Sequence, residues 1–213
     1  MSRHLIHLLV ATVGIISFGG GCDRSQRTIP YRSDVPIEGR LLPGDKAVLV
    51  QMELPDRKTD TGPQESFDQE IQRLRRGEIT ALVRVTAATG EIADRGTWVR
   101  TRVSAELDRL VKTREGSALG PSIEFTYSAG TARIGNVVVT TGRFPRFVEG
   151  EQYLVFLRIQ QGTSASLVWD GIGFRVDAQG ALQRVGISDG GEQSFRTNLV
   201  GKSVSDVIEA LTP

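Results

Sequence analysis

The sequence predicts a mainly β domain whose antiparallel strands close into a barrel or stack as a sandwich. Three observations predict it. From residue 79 onward, apolar residues recur at every second position, the period of a half-buried strand. Five or more such segments follow one another without a helical stretch between them. Gly accounts for 24 of 213 residues, above the usual ~7%, which suits tight turns and strand bends.

In chain order, Ala47–Leu54 reads as a first strand, with Val48, Val50, Met52 and Leu54 on one face. Pro, Gly and charge make residues 55–64 a loop. Ser66–Arg76 reads as a short helix. Ser66 and Gln69 have the spacing of a capping box, and Phe67, Ile71 and Leu74 form one apolar stripe. Gly77 ends it. The strands proper begin with Ile79, Ala81, Val83, Val85 and Ala87, which alternate with mostly polar neighbours. Trp98–Leu107 alternates again, as do Ile123, Phe125 and Tyr127. Val137–Val139 is a short β-branched run. Tyr153–Leu157 is apolar on both faces and so should be the most buried strand. Ser166–Trp169 and Gly173–Val176 form a further pair around a bend at Asp170 and Gly171. A turn at 177–180 leads into Ala181–Ile187. Ser205–Leu211 closes the chain as a short helix.

Composition fits a globular protein: 39% hydrophobic and 24% charged, with a formal net charge of +1. The single Cys excludes an intramolecular disulfide. Both His, His4 and His7, lie in the first seven residues. That end reads as an export signal. Arg3 precedes an uncharged, mostly apolar run from Leu8 to Phe18. Even counted from Leu5 the run falls short of the ~20 residues of a membrane-spanning helix. Gly19, Gly20 and Gly21 then lead directly to Cys22. This resembles a bacterial lipoprotein signal, in which the Cys is lipidated and becomes the first residue. Plain secretory cleavage and an uncleaved anchor are the other readings of these residues.

Removal of residues 1–21 takes away one charged side chain, Arg3, and leaves a neutral chain with no imidazole. Metal, triad and acid–base chemistry that depends on His is then excluded. A neutral chain also lacks the electrostatic drive for nucleic acid. The expected organisation is a signal peptide over 1–21, a lipid-anchored tether over 22–46, and one β-rich domain over 47–213. As a flexible coil, the Pro-containing tether would give about 25–30 Å of clearance from the bilayer; an ordered arm wrapped on the domain is the other reading of these residues.

The stretch from Ile79 to about Val185 resembles a group of bacterial exported domains. The distinctive residues are the run Phe147-Val148-Glu149-Gly150-Glu151-Gln152-Tyr153-Leu154-Val155-Phe156-Leu157, Leu110-Val111-Lys112, and Gly173 to Val176. The resemblance implies a small five-stranded OB-type barrel, similar to netrin or metalloproteinase-inhibitor modules. It transfers no catalytic residue.

Several short motifs lack residues that their chemistry would need. Gly186-Ile187-Ser188-Asp189-Gly190 matches G-x-S-x-G, but there is no His to serve as base and no helix follows. Gly201-Lys202-Ser203 resembles the end of a phosphate loop, yet Arg196 stands where its first Gly belongs. Ser203 or Ser205 therefore reads as a helix cap. Lys46, Lys58, Lys112 and Lys202 never follow a Ser by three residues. Glu149 and Glu151, and Glu91 and Asp94, read as loop carboxylates. Trp98, Arg100 and Arg102 share one strand face. On an OB-type barrel that face often binds ligands, and Trp with Arg is a frequent contact pair. Pairing of the arginines with Glu124 across the sheet is the plain structural alternative. The expectation is a lipid-anchored, non-catalytic binding module at the cell envelope. It needs no cofactor or metal, is held to the membrane by lipid, and contacts an envelope protein or polymer. An envelope hydrolase using carboxylates or Ser–Lys is the alternative.

Overall fold

The computed structural model describes residues 26–51, 65–113, 119–160, 166–190 and 197–212. The signal region and Cys22 lie outside the described residues, as do Met52 to Leu54 of the first expected strand. The elements are β1 (Gln26–Pro30), β2 (Ala47–Gln51), α1 (Phe67–Leu74), β3 (Ile79–Ala93), β4 (Trp98–Lys112), β5 (Ser122–Tyr127), β6 (Gly130–Ile134), β7 (Val137–Thr141), β8 (Gln152–Gln160), β9 (Ser166–Val176), β10 (Leu182–Arg184) and α2 (Val204–Leu211).

The described residues are mainly β, with a closed five-stranded barrel and two helices, one of them short and C-terminal. Around the barrel the order is β3-β4-β5-β9-β8 and back to β3. All junctions are antiparallel except β5 with β9, where Phe125 and Thr126 pair in parallel with Leu167 and Val168. The parity of the ring requires this. Five strands cannot alternate direction all the way round a closed sheet, so one junction must be parallel. This topology is that of an OB-type barrel, with the β6–β7 hairpin inserted before β8.

The barrel interior is filled by side chains. Ile79, Ala81, Val83 and Val85 of β3 meet Val103 and Ala105 of β4, Ile123 and Phe125 of β5, and Tyr153, Val155 and Leu157 of β8. Phe147 enters from the loop before β8. Its ring lies 4.9 Å from Tyr153, 5.4 Å from Phe125 and 5.7 Å from Trp169. The Tyr153 hydroxyl accepts from the Val148 N–H at 2.9 Å and donates to Glu151 Oε2 at 2.8 Å. The distinctive run beginning at Phe147 is thus a plug and the turn that holds it. Gly150 sits at φ +82° in that turn, where only Gly is unstrained.

The two-sided apolarity of Tyr153–Leu157 has its predicted cause. The other face of β8, Leu154 and Phe156, is covered by Ile71 and Leu74 of α1 and by Val207, Ile208 and Leu211 of α2. The capping box of α1 is formed, with Gln69 N–H on Ser66 Oγ at 3.3 Å and Ser66 N–H on Gln69 Oε1 at 2.8 Å. Ser203 caps α2.

The structure corrects the expected layout at several points. Residues 26–46 are not a free tether. β1 pairs in parallel with β2, and β2 pairs in parallel with β7. Together with β6 they make a second, four-stranded sheet in the order β1-β2-β7-β6. Ile29 and Ile37 are buried with Val48, Val50 and Val139 in its core, and that burial holds the arm down. Val137–Val139 therefore belongs to this sheet and not to the barrel. β3 and β4 are longer than their clear alternation, at 15 residues each. Their far ends leave the barrel and pack against the second sheet. Ser166–Val176 is one strand and not two: Asp170 to Ile172 bulge opposite Phe156, where the β8–β9 register slips. Ala181–Ile187 is a strand only over β10, with single bridges from Ala181 and Ile187 on either side.

Candidate functional site

The alternation of β4 puts Arg100 and Arg102 on the outer face of the barrel ribbon. Opposite Arg100 in the register stands Glu91 of β3. Glu91 is thus a strand residue and not part of a loop. Arg100 Nε and Nη2 donate to Glu91 Oε1 at 2.9 and 2.6 Å, and Arg102 Nη2 reaches Oε2 at 3.1 Å. On its other side Arg102 lies 3.5 Å from Glu124 of β5. The Arg100 hydrogen bond, with Arg102 behind it, holds the Glu91 carboxyl below the usual carboxylate range. Both arginines remain substantially open to solvent, at 40% and 45%.

Trp98 does not join them at the surface. It is 8% exposed, meets Tyr31 edge-on at 4.9 Å, and donates its indole N–H to the Ser128 carbonyl at 3.1 Å. The arm that precedes β2 covers it. The structure therefore brings Arg100 and Arg102 together with Glu91 and Glu124, and places Trp98 in the core of the second sheet.

A second feature is an open cleft of about 400 Å³ beside Arg84 of β3, at the start of β8 and the end of β9, lined also by Gln152, Arg175 and Asp177. Arg84 contacts the Gly150 carbonyl and Asp108, at 3.2 and 3.3 Å. Arg175 contacts Glu151 at 3.4 Å. Asp177 is bound up in its own turn. It accepts from the Gln183 amide and from the Ala181 and Gln179 N–H groups, which draw its pKa below the ordinary carboxylate range.

The other motif residues have structural surroundings. Ser188 Oγ faces the Phe144 N–H at 3.4 Å beside an Arg143–Asp189 ion pair. Lys112 Nζ bonds the Arg75 and Gly77 carbonyls at the end of α1. Among the described residues, no group of three or more His, Cys, Asp or Glu side chains comes together. No helix among them is long and apolar enough to cross a membrane.

Sequence reasoning missed Glu70. It is 2% exposed and pins the segment before α2, accepting from Thr197 Oγ1 at 2.6 Å and the Asn198 N–H at 2.7 Å. The signal was present: Glu70 lies on the apolar stripe of α1, between Phe67 and Leu74. A flexible tether over 22–46 also leaves no place for the hydrogen bonds that Arg27, Arg32 and Arg40 make on the folded arm.

The fold and faces define a class, a closed five-stranded OB-type barrel with a second sheet docked on its long hairpin. Within that class no model of a known family matches the chain, and no curated protein matches it.

Proposed function

We propose that this protein is an exported lipoprotein, anchored through Cys22, whose barrel is a non-catalytic binding module at the cell envelope. The observation that carries the reading is the sole Cys of the chain standing directly after a short apolar run and three glycines. The exposed ladder of Glu91, Arg100, Arg102 and Glu124 is the proposed contact face for an envelope protein or polymer. Its alternating charges favour a partner of mixed charge, and an ordered ladder offers that partner little entropy cost on binding.

The folded arm changes the geometry of such an anchor. Only three residues, and so four Cα-to-Cα steps, separate Cys22 from Gln26, the first residue of β1. They reach at most about 14 Å when fully extended. A lipid on Cys22 would hold the domain against the headgroup layer, without the clearance of a flexible tether.

Metabolic labelling with a palmitate analogue tests the anchor. Label on the wild type and none on Cys22→Ala is the expected result. Equal label on both, or none on the wild type, rejects it. Charge reversal at Arg100 and Arg102 together should abolish crosslinking to an envelope component while leaving the fold intact by circular dichroism.

A further inference from the structure

Three arginines of the arm, Arg27, Arg32 and Arg40, gather around two carboxylates. Arg27 grips Asp45 with Nε and Nη2 at 3.1 and 2.7 Å. Arg32 grips Asp34 at 3.3 and 3.1 Å. Arg40 makes no ion pair with a carboxylate among the described residues. Its Nη1 donates to the Pro30 carbonyl, and its own carbonyl accepts from Arg27 Nη2 at 2.7 Å. Its Nε and Nη2 are sheltered from solvent and have no hydrogen-bond partner among the described residues.

These two facts converge on one side chain. Three guanidinium groups face two carboxylates, so one positive charge is uncompensated. The donors without a partner belong to the same guanidinium. Nε and Nη2 form the edge with which arginine makes paired bonds to two oxygens of one anion. A buried charged donor pair left empty is costly, and folded proteins rarely keep one. Desolvation and the nearby Arg32 charge already draw Arg40 below the ordinary arginine range, and an anion there would relieve both.

We infer that Arg40, by turning its Nε–Nη2 edge outward from the closed position it holds here, is a binding site for a singly charged phosphate-type oxyanion. A carboxylate would engage both its oxygens on Arg40 alone. A phosphate has further oxygens for Arg32, which with Asp34 forms the solvent-exposed side of the cluster, at 57% and 64% exposure. The ligand has two possible sources, free phosphate or the phosphodiester of a phospholipid headgroup. The second source rests on lipidation at Cys22, which would hold the arm at the headgroup layer. The site itself does not.

The test uses the full-length protein in detergent, labelled with nitrogen-15, with the Arg Nε–H resonances followed by NMR. Inorganic phosphate is titrated at constant ionic strength against chloride. In a second arm, short-chain phosphatidylglycerol replaces phosphate. A saturable shift of the Arg40 resonance in either arm is expected. Arg40→Lys keeps the charge and loses the fork, and should weaken binding at least about tenfold. Arg76→Lys, on the end of α1, should leave it unchanged. Should Arg40→Lys not fold, Arg32→Gln takes its place, with a several-fold loss expected. Response to phosphate alone assigns free phosphate, and response to lipid alone assigns the headgroup. A resonance that ignores both ligands, or answers equally to chloride, overturns the site. So does wild-type affinity in the Arg40→Lys variant or its replacement.

Discussion

Val155 and Phe156 are neighbours on β8 and belong to different cores. Val155 points into the barrel with Tyr153 and Leu157, and Phe156 points outward among Phe174, Ile71 and Leu154. Both are essentially closed to solvent. Truncation of Phe156 empties the contact between barrel and helices, so Phe156→Ala should cost about 3–5 kcal/mol. Chemical denaturation measures it, and a midpoint within error of the wild type would contradict the packing. Two paired carboxylates, Asp45 and Glu91, add an acid dependence. Hydrogen bonds from Arg27 and Arg100 respectively lower their pKa in the folded state. A lowered folded pKa means stability that is present above the unfolded value, about 4, and lost as pH falls through the folded value. Thermal melts should therefore be flat from about pH 8 to 5 and fall below about pH 4. Asp45→Asn should lower the neutral Tm and make the acid limb shallower. An acid limb as steep as in the wild type would assign the acid sensitivity to other groups.

The β6–β7 hairpin lies so close on the β3–β4 ribbon that two positions there admit only Gly. A Cβ built at Gly90 would stand 1.9 Å from the Thr131 carbonyl oxygen, and one at Gly130 would stand 2.2 Å from Thr101 Oγ1. The first obstacle is backbone and cannot rotate away. Gly90→Ala should destabilise by about 1–3 kcal/mol and loosen the hairpin from the ribbon, which hydrogen exchange at β6 amides would report. Exchange and stability equal to the wild type would place the ribbon elsewhere. At this scale the sequence was a good guide wherever one face is wet. The alternation of Ile79–Ala87 and Trp98–Leu107 and the Ser66–Gln69 cap were legible because solvent imposes the polar half of each pattern. The bulge of β9 was not, because a bulge answers to the partner strand. β6 was not, because Gly130-Thr131-Ala132 carries too little apolar signal to mark a strand.

For the whole molecule, the barrel was legible and the second sheet was not. β1 has one buried apolar residue, Ile29, and ends in Pro30, which cannot donate to a ladder. Such a strand exists only because β2 and β7 are there to receive it. Pro30 also suits the edge it occupies, since its carbonyl is occupied by Arg40 and no further strand is invited. The candidate face shows the same division. Arg100 and Arg102 could be read from alternation, whereas the burial of Trp98 depended on an arm read as tether. That parallel pairing reaches a long way along the chain. Ala47 meets Val138, and Val50 meets Thr141, so β2 binds a strand some ninety residues further along the chain. Until β7 has folded beside it, the Ala47–Gln51 segment lacks its partner on that side. Contacts so distant in sequence slow folding. The N-terminal arm is then the last part to become native, and the part that most needs shielding from aggregation while the barrel is made.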